Sequence, residues 1–578
     1  MEACPAPGAV HPDIVPADVL AADAGRGLMA AECATMLDGY LRRLARQEAR
    51  ARRVLGTLAR GFLRRHHHHH DLGFARLRDY TRERLGLSAR ELQTLAHVVE
   101  GMARLPAIGD AFDSGEINWS QARCLVALAT PEDGPLWLLI ARFRTVRALE
   151  ATVARRAGRR VAGDTIDGEP RVRVRLPCPR HVRARWSEVL ELARCMCGSE
   201  VAPWHAAEAI AAEGHSVRGV EPDDPLAGLP DPVPRPLPEY EARDPLPALD
   251  WSAVQEALPE DVEALARGAQ DLNAFALDRR MRAALRAMQR VDFQMGRLLH
   301  LVFARRLHRL LGFPTAARYV QERLGLSARK ARALVSLERR SAALPALAAA
   351  YRQGEVSWLR ALSLLPVADE GSAAAWVARA QAVTIRRLVD EVEWTLAVRD
   401  TCGEAPGPPP LGTRLVRPQR QVCAHAVDAD ITFFAPASVA ILLRSAITSF
   451  TRLTEPSWRG LEHLLDHVHQ EWSTQPRHRD PIFARDGWRC AVPACTSRRN
   501  LHDHHLLFRS RGGGNARDNR ITVCAWHHLR GIHQGRVRAW GTAPDAVTWE
   551  LGTRPGQPPL LTLRGDRYME GSDSELVT

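Results

Sequence analysis

The 578-residue chain has a single lysine, Lys330, among its 79 basic residues. Its net charge of +12 is therefore carried by arginine, and with the sequence pI of about 9.6 it favours an anionic partner such as nucleic acid. Replacement of lysine by arginine, with abundant Ala, Gly and Pro, is also what a GC-rich genome produces, so the charge alone does not establish such a partner. No apolar run approaches the roughly 20 residues that a membrane helix needs, which excludes a helical membrane anchor as an expectation. The first residues, "MEACPAPGAVHPDIVPADVL", lack a basic start followed by an apolar stretch, so the expectation is a cytoplasmic protein without a secretion signal. The 11 cysteines are odd in number and mostly scattered, which argues against a disulfide framework. Cys195 and Cys197 have no second pair nearby and read as ordinary thiols.

The chain does contain an internal duplication. "GFARLRDYTRERLGLSAR" from Gly73 and "GFPTAARYVQERLGLSAR" from Gly312 run in register, and the match continues without a gap. Leu105-Pro106 answers Leu344-Pro345, Gly115-Glu116 answers Gly354-Glu355, Trp119 answers Trp358, and Trp137 answers Trp376. Farther on, "RVRVRLPCP" at Arg171 and "DADITFFAP" at Asp428 are strand-like stretches, each followed by an apolar helix and a Trp with Glu four residues later. Each copy opens on a long pattern with apolar residues at 3–4 spacing, Leu37 to Arg65 and Arg279 to Leu307, which predicts amphipathic helices. The segment Val220 to Asp250, rich in proline and acid, reads as a linker, as does the shorter "GEAPGPPPLG" from Gly403. The run His66 to His70 reads as a low-complexity expansion on a helix, with only His69 matched by a histidine, His308, in the second copy.

Within each copy, "YTRERLGLSAREL" and "YVQERLGLSARKA" have the order of a helix-turn-helix core. A short helix ends at Gly86 or Gly325, and Ser88 or Ser327 is placed to N-cap the next helix. That helix would read DNA, or the same turn would serve a helical scaffold.

Chemistry concentrates near the C-terminus. "RCAVPAC" supplies Cys490 and Cys495, and "CAWHH" supplies Cys524 with His527 three residues on. Two pairs of soft ligands about 30 residues apart read as a structural Cys₃His zinc site. A segment this rich in glycine and arginine has little core of its own, and zinc would supply folding free energy on the order of 10 kcal/mol.

Between those ligands come Asp503-His504-His505, three consecutive glycines from Gly512, Asn519 and His528. Over about Arg485 to Gly552 the chain resembles the HNH endonuclease family with its ββα-metal fold, in the bacterial branch where a helical region precedes a C-terminal HNH domain. The resemblance implies that His505 is the general base, that His504 and His528 bind a catalytic Mg²⁺ or Mn²⁺, and that Asn519 pins the loop orienting His505. His527 would face zinc instead. Adjacent strand residues point to opposite faces, so His504 and His505 need a departure from strand geometry to serve one site. His533 lies about 140° round an ideal helix from His528 and is a third ligand only if that helix has ended. His502 and Asp503 either bond to ligand histidines or are exposed. Arg509, Arg511, Arg517 and Arg520 flank the site as phosphate contacts or as solvated charges.

The resulting expectation is a mainly α multidomain chain: two duplicated helical modules, each followed by a short strand-helix element, and a small C-terminal zinc-stapled ββα-metal domain. Its boundaries are a disordered start (1–27), a first module (28–213), a linker (214–262), a second module (263–402), a linker and strand-helix element (403–475), the nuclease domain (476–553) and a disordered tail (554–578). The expected function is metal-dependent DNA hydrolysis, with DNA as partner, pairing of two chains for double-strand cutting, no membrane and no small-molecule cofactor. The rivals are a catalytically inactive DNA-binding scaffold that keeps the HNH fold as a zinc module, and an RNA-cleaving enzyme.

Overall fold

The computed structural model describes residues 30–569 except 66, 157–164, 198–200, 219–256, 342, 403–406, 416–426, 428, 453 and 475–480. The expected disordered start, most of the linker 214–262 and the last residues of the tail lie outside the described residues. What is described is mainly helical, with small sheets.

The helices that matter here are α1 (Ala30–Arg64), α2 (Ala89–Arg104), α3 (Val146–Arg156), α4 (Arg180–Cys197), α5 (Pro203–Arg218), α6 (Ala274–Ala304), α7 (Ala328–Ser341), α8 (Ile385–Cys402), α9 (Ala437–Phe450) and α10 (Ser457–Ser473). The strands are β1 (Thr165–Ile166), β2 (Glu169–Cys178), β3 (Ala429–Pro436), β4 (Leu501–His505), β5 (Arg520–Cys524), β6 (Val537–Thr542), β7 (Ala546–Leu551), β8 (Leu561–Arg564) and β9 (Arg567–Tyr568).

Helix α1 forms because Leu37, Leu41, Leu44, Leu55, Leu58 and Phe62 recur at helical spacing, and all six are buried. Leu277, Met281, Ala284, Val291, Met295 and Leu298 do the same on α6, and the two helices pack along one another in one core. Each fully buried Leu or Phe contributes roughly 1.5–3 kcal/mol. Asn273 caps α6, its side chain accepting from the Ala276 amide at 2.9 Å.

The stretches that read alike in sequence hold each other reciprocally. Gly86 and Gly325 both sit in the left-handed region, at φ 63° and 69°. Ser88 Oγ accepts from the Glu91 amide and Ser327 Oγ from the Lys330 amide, as the capping pattern predicts. Neither glycine turn faces open solvent. A Cβ on Gly86 would lie 2.9 Å from Ser357, and one on Gly325 would lie 2.8 Å from Asn118. Arg84 pairs with Asp278 of α6, and Arg323 pairs with Asp38 of α1. Glu83 accepts from the Ile385 amide opening α8 at 3.0 Å, while Glu322 accepts from the Val146 amide opening α3 at 2.7 Å. The N-terminal ends of α2 and α7 thus open onto one shared cavity of about 960 Å³.

Charge is buried along this interface. The sole lysine, Lys330, sits 2.7 Å from Glu48 and 2.8 Å from Asp292, so that it ties α1 and α6 to α7. Burial pushes the Asp292 carboxyl up to about 6, against the pull of Lys330 and with the help of Glu48. Glu48 is buried too, but Arg52 and Lys330 outweigh that and hold its carboxyl below the usual range.

A second core lies apart from the first. It is built only from β2, α4, α5, β3, α9 and α10 and the residues that flank them. Strand β2 pairs antiparallel with β3 over eight residues, with Arg175 opposite Thr432, and β1 adds a two-residue hairpin at the start of β2. Val174 and Cys178 face Ile431, Phe433 and Ala435 in this core.

The C-terminal part departs from the expected tail. Residues 537–568 form a four-stranded antiparallel sheet, β6-β7-β8-β9. Its end is anchored: Tyr568 donates to Glu83, and Asp566 pairs with Arg386 at 2.6 Å. Short strands flanked by Gly and Pro carry too little periodicity to announce themselves, which is why this segment reads as a tail in sequence.

Removing Glu83 would strand the guanidinium of Arg360, buried and 2.7 Å away. Glu83→Ala is therefore expected to destabilise the fold by about 3–5 kcal/mol. Glu322→Ala removes a half-buried acceptor of one backbone amide and is expected to cost about 1 kcal/mol. Urea denaturation of both variants checks this, and equal losses would contradict it.

Candidate metal centres

Two groups of side chains that could hold a metal ion lie within residues 490–533. The first is Cys490, Cys495, Cys524 and His527, all buried, with ligand atoms within 4.8 Å of one another. Such a Cys₃His cluster could hold a zinc ion. Three backbone bonds shape the cysteine loop: Cys490 N to Ser497 O (2.8 Å), Ala491 N to Thr522 O (2.7 Å) and Cys495 N to Val492 O (3.1 Å). Ala494, at φ 63°, makes the turn that brings Cys495 back beside Cys490 across the four-residue spacing. Cys524 is the last residue of β5, and His527 starts the turn that follows.

The His527 ring works at both ends. Its Nδ1 lies 3.3 Å from Cys524 Sγ and 3.5 Å from Cys490 Sγ, while Nε2 lies 3.2 Å from the Gly73 carbonyl. With the proton on Nε2 donated to Gly73, Nδ1 is left free to ligate. Burial alone would lower the pKa of His527, yet the Cys490 and Cys524 sulfurs push it up to about 10. The pocket is thus electronegative at the point where a cation would sit. Behind it, buried Arg386 donates to the carbonyls of Cys490, Val492 and Cys495 at 2.8–3.0 Å, fixing the loop from the helical side.

The second group is His504, His528 and His533, whose ligand nitrogens also lie within 4.8 Å of one another. His504 is buried, His528 half-buried and His533 exposed. His533 joins because the segment His527–Ile532 is a π-turn rather than an α-helix. Its i→i+5 bond, His533 N to His528 O at 3.2 Å, stacks residues five apart one turn above each other. The objection from ideal α-helical geometry therefore falls. His504 is driven down to about 3 by burial and then by the neighbouring His528, His533 and His505, so its ring is neutral near pH 7. His502 Nδ1 lies 2.9 Å from His528 Nδ1, which leaves Nε2 of His528 for an ion. His502 is therefore a hydrogen-bond partner of His528.

His505 stands outside this group. It is the last residue of β4, and its Nε2 lies 2.9 Å from Asn515 Oδ1. The strand stays regular through His504↔Ile521 and His505↔Arg520, so no bend merges the two histidines into one ligand set. Asn519 ties the loop together: its Oδ1 accepts from the Leu507 amide (2.7 Å), and its Nδ2 donates to Leu507 O (3.1 Å) and Gly514 O (2.8 Å). The ring of His505, however, is held by Asn515. That residue escapes sequence reading, its only signal being an amide directly after the third glycine.

The flanking basic residues separate into two kinds. Arg509, Arg511 and Arg517 are exposed. Arg520 is instead paired with Asp503, Nε to Oδ2 at 2.7 Å, so neither is the free charge that the sequence allows. Two histidines of the run lie nearby: His70 stacks on Trp526 with ring centroids 4.7 Å apart, and His68 is buried against Phe62. Cys195 is 3.3 Å from Arg498 Nη1.

No protein-family model, no curated protein and no solved structure matches this chain. Among the described residues, no helix is long and apolar enough to cross a membrane.

The sulfur site is expected to retain one zinc through purification. Cys495→Ser should lose that zinc and make residues 490–533 protease-sensitive, since the forfeited binding free energy is on the order of 10 kcal/mol. His504→Ala should keep it. Inductively coupled plasma mass spectrometry with limited proteolysis reads both effects, and equal zinc in wild type and Cys495→Ser would refute the assignment.

Proposed function

We propose that the chain is a metal-dependent endonuclease of the HNH type that hydrolyses DNA phosphodiester bonds. The observation that carries this reading is the split between three clustered imidazoles and one separate, amide-held histidine beside them. A structural zinc site needs neither. The duplication of the helical modules, the ββα description of residues 501–532 and a DNA-positioning role for the helices belong to the same reading.

His504, His528 and His533 would hold the catalytic ion. They offer three nitrogens and no carboxylate, because Asp503 is engaged by Arg520. Such a set suits a borderline transition ion better than Mg²⁺, which prefers oxygen. When bound, that ion supplies a positive charge for the phosphate and for the 3′ oxygen as it leaves. His505 accepts the proton of the attacking water, for which an imidazole is suited near pH 7. Asn515 and Asn519 hold that ring and its loop in place, and Arg509, Arg511 and Arg517 are available to the phosphates on either side.

Metal-dependent nicking of supercoiled plasmid tests the reading. His505→Ala is expected to lower the rate by ~10²–10⁴-fold. Asn515→Ala, which frees the ring without removing it, should lower the rate by about 10–100-fold. Mn²⁺ is expected to support faster nicking than Mg²⁺. If wild type and His505→Ala are equally inert on duplex, single-stranded DNA and RNA while both keep zinc, the scaffold reading replaces this one.

A further inference from the structure

The second core is two interlocked strand–helix–helix units. β2 leads into α4 and α5, β3 leads into α9 and α10, and the two strands join as an antiparallel ribbon. The fifth residue of each matching motif, Arg175 and Thr432, pairs with the other, so the ribbon has a local two-fold centre. Alternation is strict. Val172, Val174, Leu176 and Cys178 turn inward, and so do Ile431, Phe433 and Ala435. The opposite face presents Arg171, Arg173 and Arg175 from one strand and Asp430, Thr432 and Phe434 from the other.

That outer face lies open to solvent. Phe434 is 44% exposed, an uncommon position for a phenyl ring, and the Arg171 guanidinium lies over it at 3.7 Å. Arg175 forks onto Asp430 with bonds of 3.0 and 2.9 Å. Arg173 stands exposed between them. Three arginines against two carboxylates, Asp430 and Glu169, leave the face positive.

We propose that this ribbon face reads double-stranded B-form DNA by lying in the major groove. Two strands about 4.8 Å apart, with their side chains, match a groove about 12 Å wide, the one groove that admits a two-stranded ribbon. The exposed Arg173 fork fits the paired acceptors of guanine, and a phenyl ring fits the methyl group of thymine. A-form RNA is excluded by shape, since its major groove is deep and too narrow for side chains to read. The local two-fold calls for a target with an approximate inverted repeat, made asymmetric by the Arg, Arg, Arg against Asp, Thr, Phe difference between strands.

The proposal concerns binding and stands apart from hydrolysis, so both are measured. The full-length His505→Ala chain is used for selection from a randomised duplex pool, followed by fluorescence anisotropy on the selected duplex, on duplex RNA and on single-stranded DNA. The selected duplex is expected to bind best. Arg173→Ala should weaken it about tenfold, and the triple change at Arg171, Arg173 and Arg175 to Ala at least a hundredfold, as befits lost base contacts. Arg173→Lys keeps the charge but not the fork, and should lose sequence preference while retaining most of the salt-dependent affinity. If these variants keep the affinity and preference of the parent within twofold, or if duplex RNA binds as well as the selected DNA, the ribbon is not the reader. Nicking by the chain with His505 intact is scored separately: an inert enzyme whose ribbon variants still lose the selected duplex leaves this proposal standing and removes the nuclease.

Discussion

One imidazole joins the two halves of this architecture. His527 faces two cysteine sulfurs with one nitrogen and the carbonyl of Gly73, far away in the chain, with the other. Everything downstream follows from that double engagement. It fixes the end of β5, hence the pairing with β4 that presents His504 and His505, and it starts the π-turn that brings His528 and His533 together. It also docks this small domain against the helical body, where Asp79 accepts from Thr496 Oγ1 at 2.6 Å and Arg386 grips the cysteine loop. A Cβ on Gly73 would lie 2.7 Å from the Gly552 amide, so the docking surface tolerates glycine alone without a shift. Gly312, in the stretch that reads like it, meets nothing within 4 Å. The two stretches, so alike in sequence, thus differ in whether this turn is covered.

The arginine excess has a use that net charge conceals. Arg84, Arg323, Arg360, Arg379 and Arg386 are each paired with a carboxylate across the helical interfaces, most of them out of solvent. Breaking a buried pair leaves an unsolvated charge, which is far more costly than the pair is stabilising. These contacts therefore act mainly as register pins, specifying which helix meets which. Exposed arginines that remain available to a polyanion include Arg173 on the ribbon and Arg509 and Arg511 on the loop after β4.

Much of this was legible in the sequence where local rules apply. Apolar spacing announced α1 and α6, Gly86 and Ser88 announced a helix stop and start, and the spacing of cysteine and histidine announced the sulfur site. Asn519 was legible as a loop pin. What stayed hidden depended on contacts distant in sequence or on unusual backbone. A π-turn cannot be read from His528 and His533, because the expected α-helix places them apart. The engagement of Asp503 by Arg520, and of His505 by Asn515, requires knowing the strand register. The reciprocal exchange of Glu83 and Glu322 between copies leaves no periodic trace, and neither does the sheet at residues 561–568.

Two candidate metal sites of different chemistry stand in residues 490–533, one closed by sulfur and one open and built of imidazole. X-ray absorption at the zinc and manganese edges of the doubly loaded full-length protein distinguishes them. The expected zinc spectrum is dominated by three sulfur neighbours at about 2.3 Å with one nitrogen, and the expected manganese spectrum has nitrogen and oxygen neighbours only. Sulfur around both metals, or zinc surrounded by nitrogen alone, would contradict this assignment.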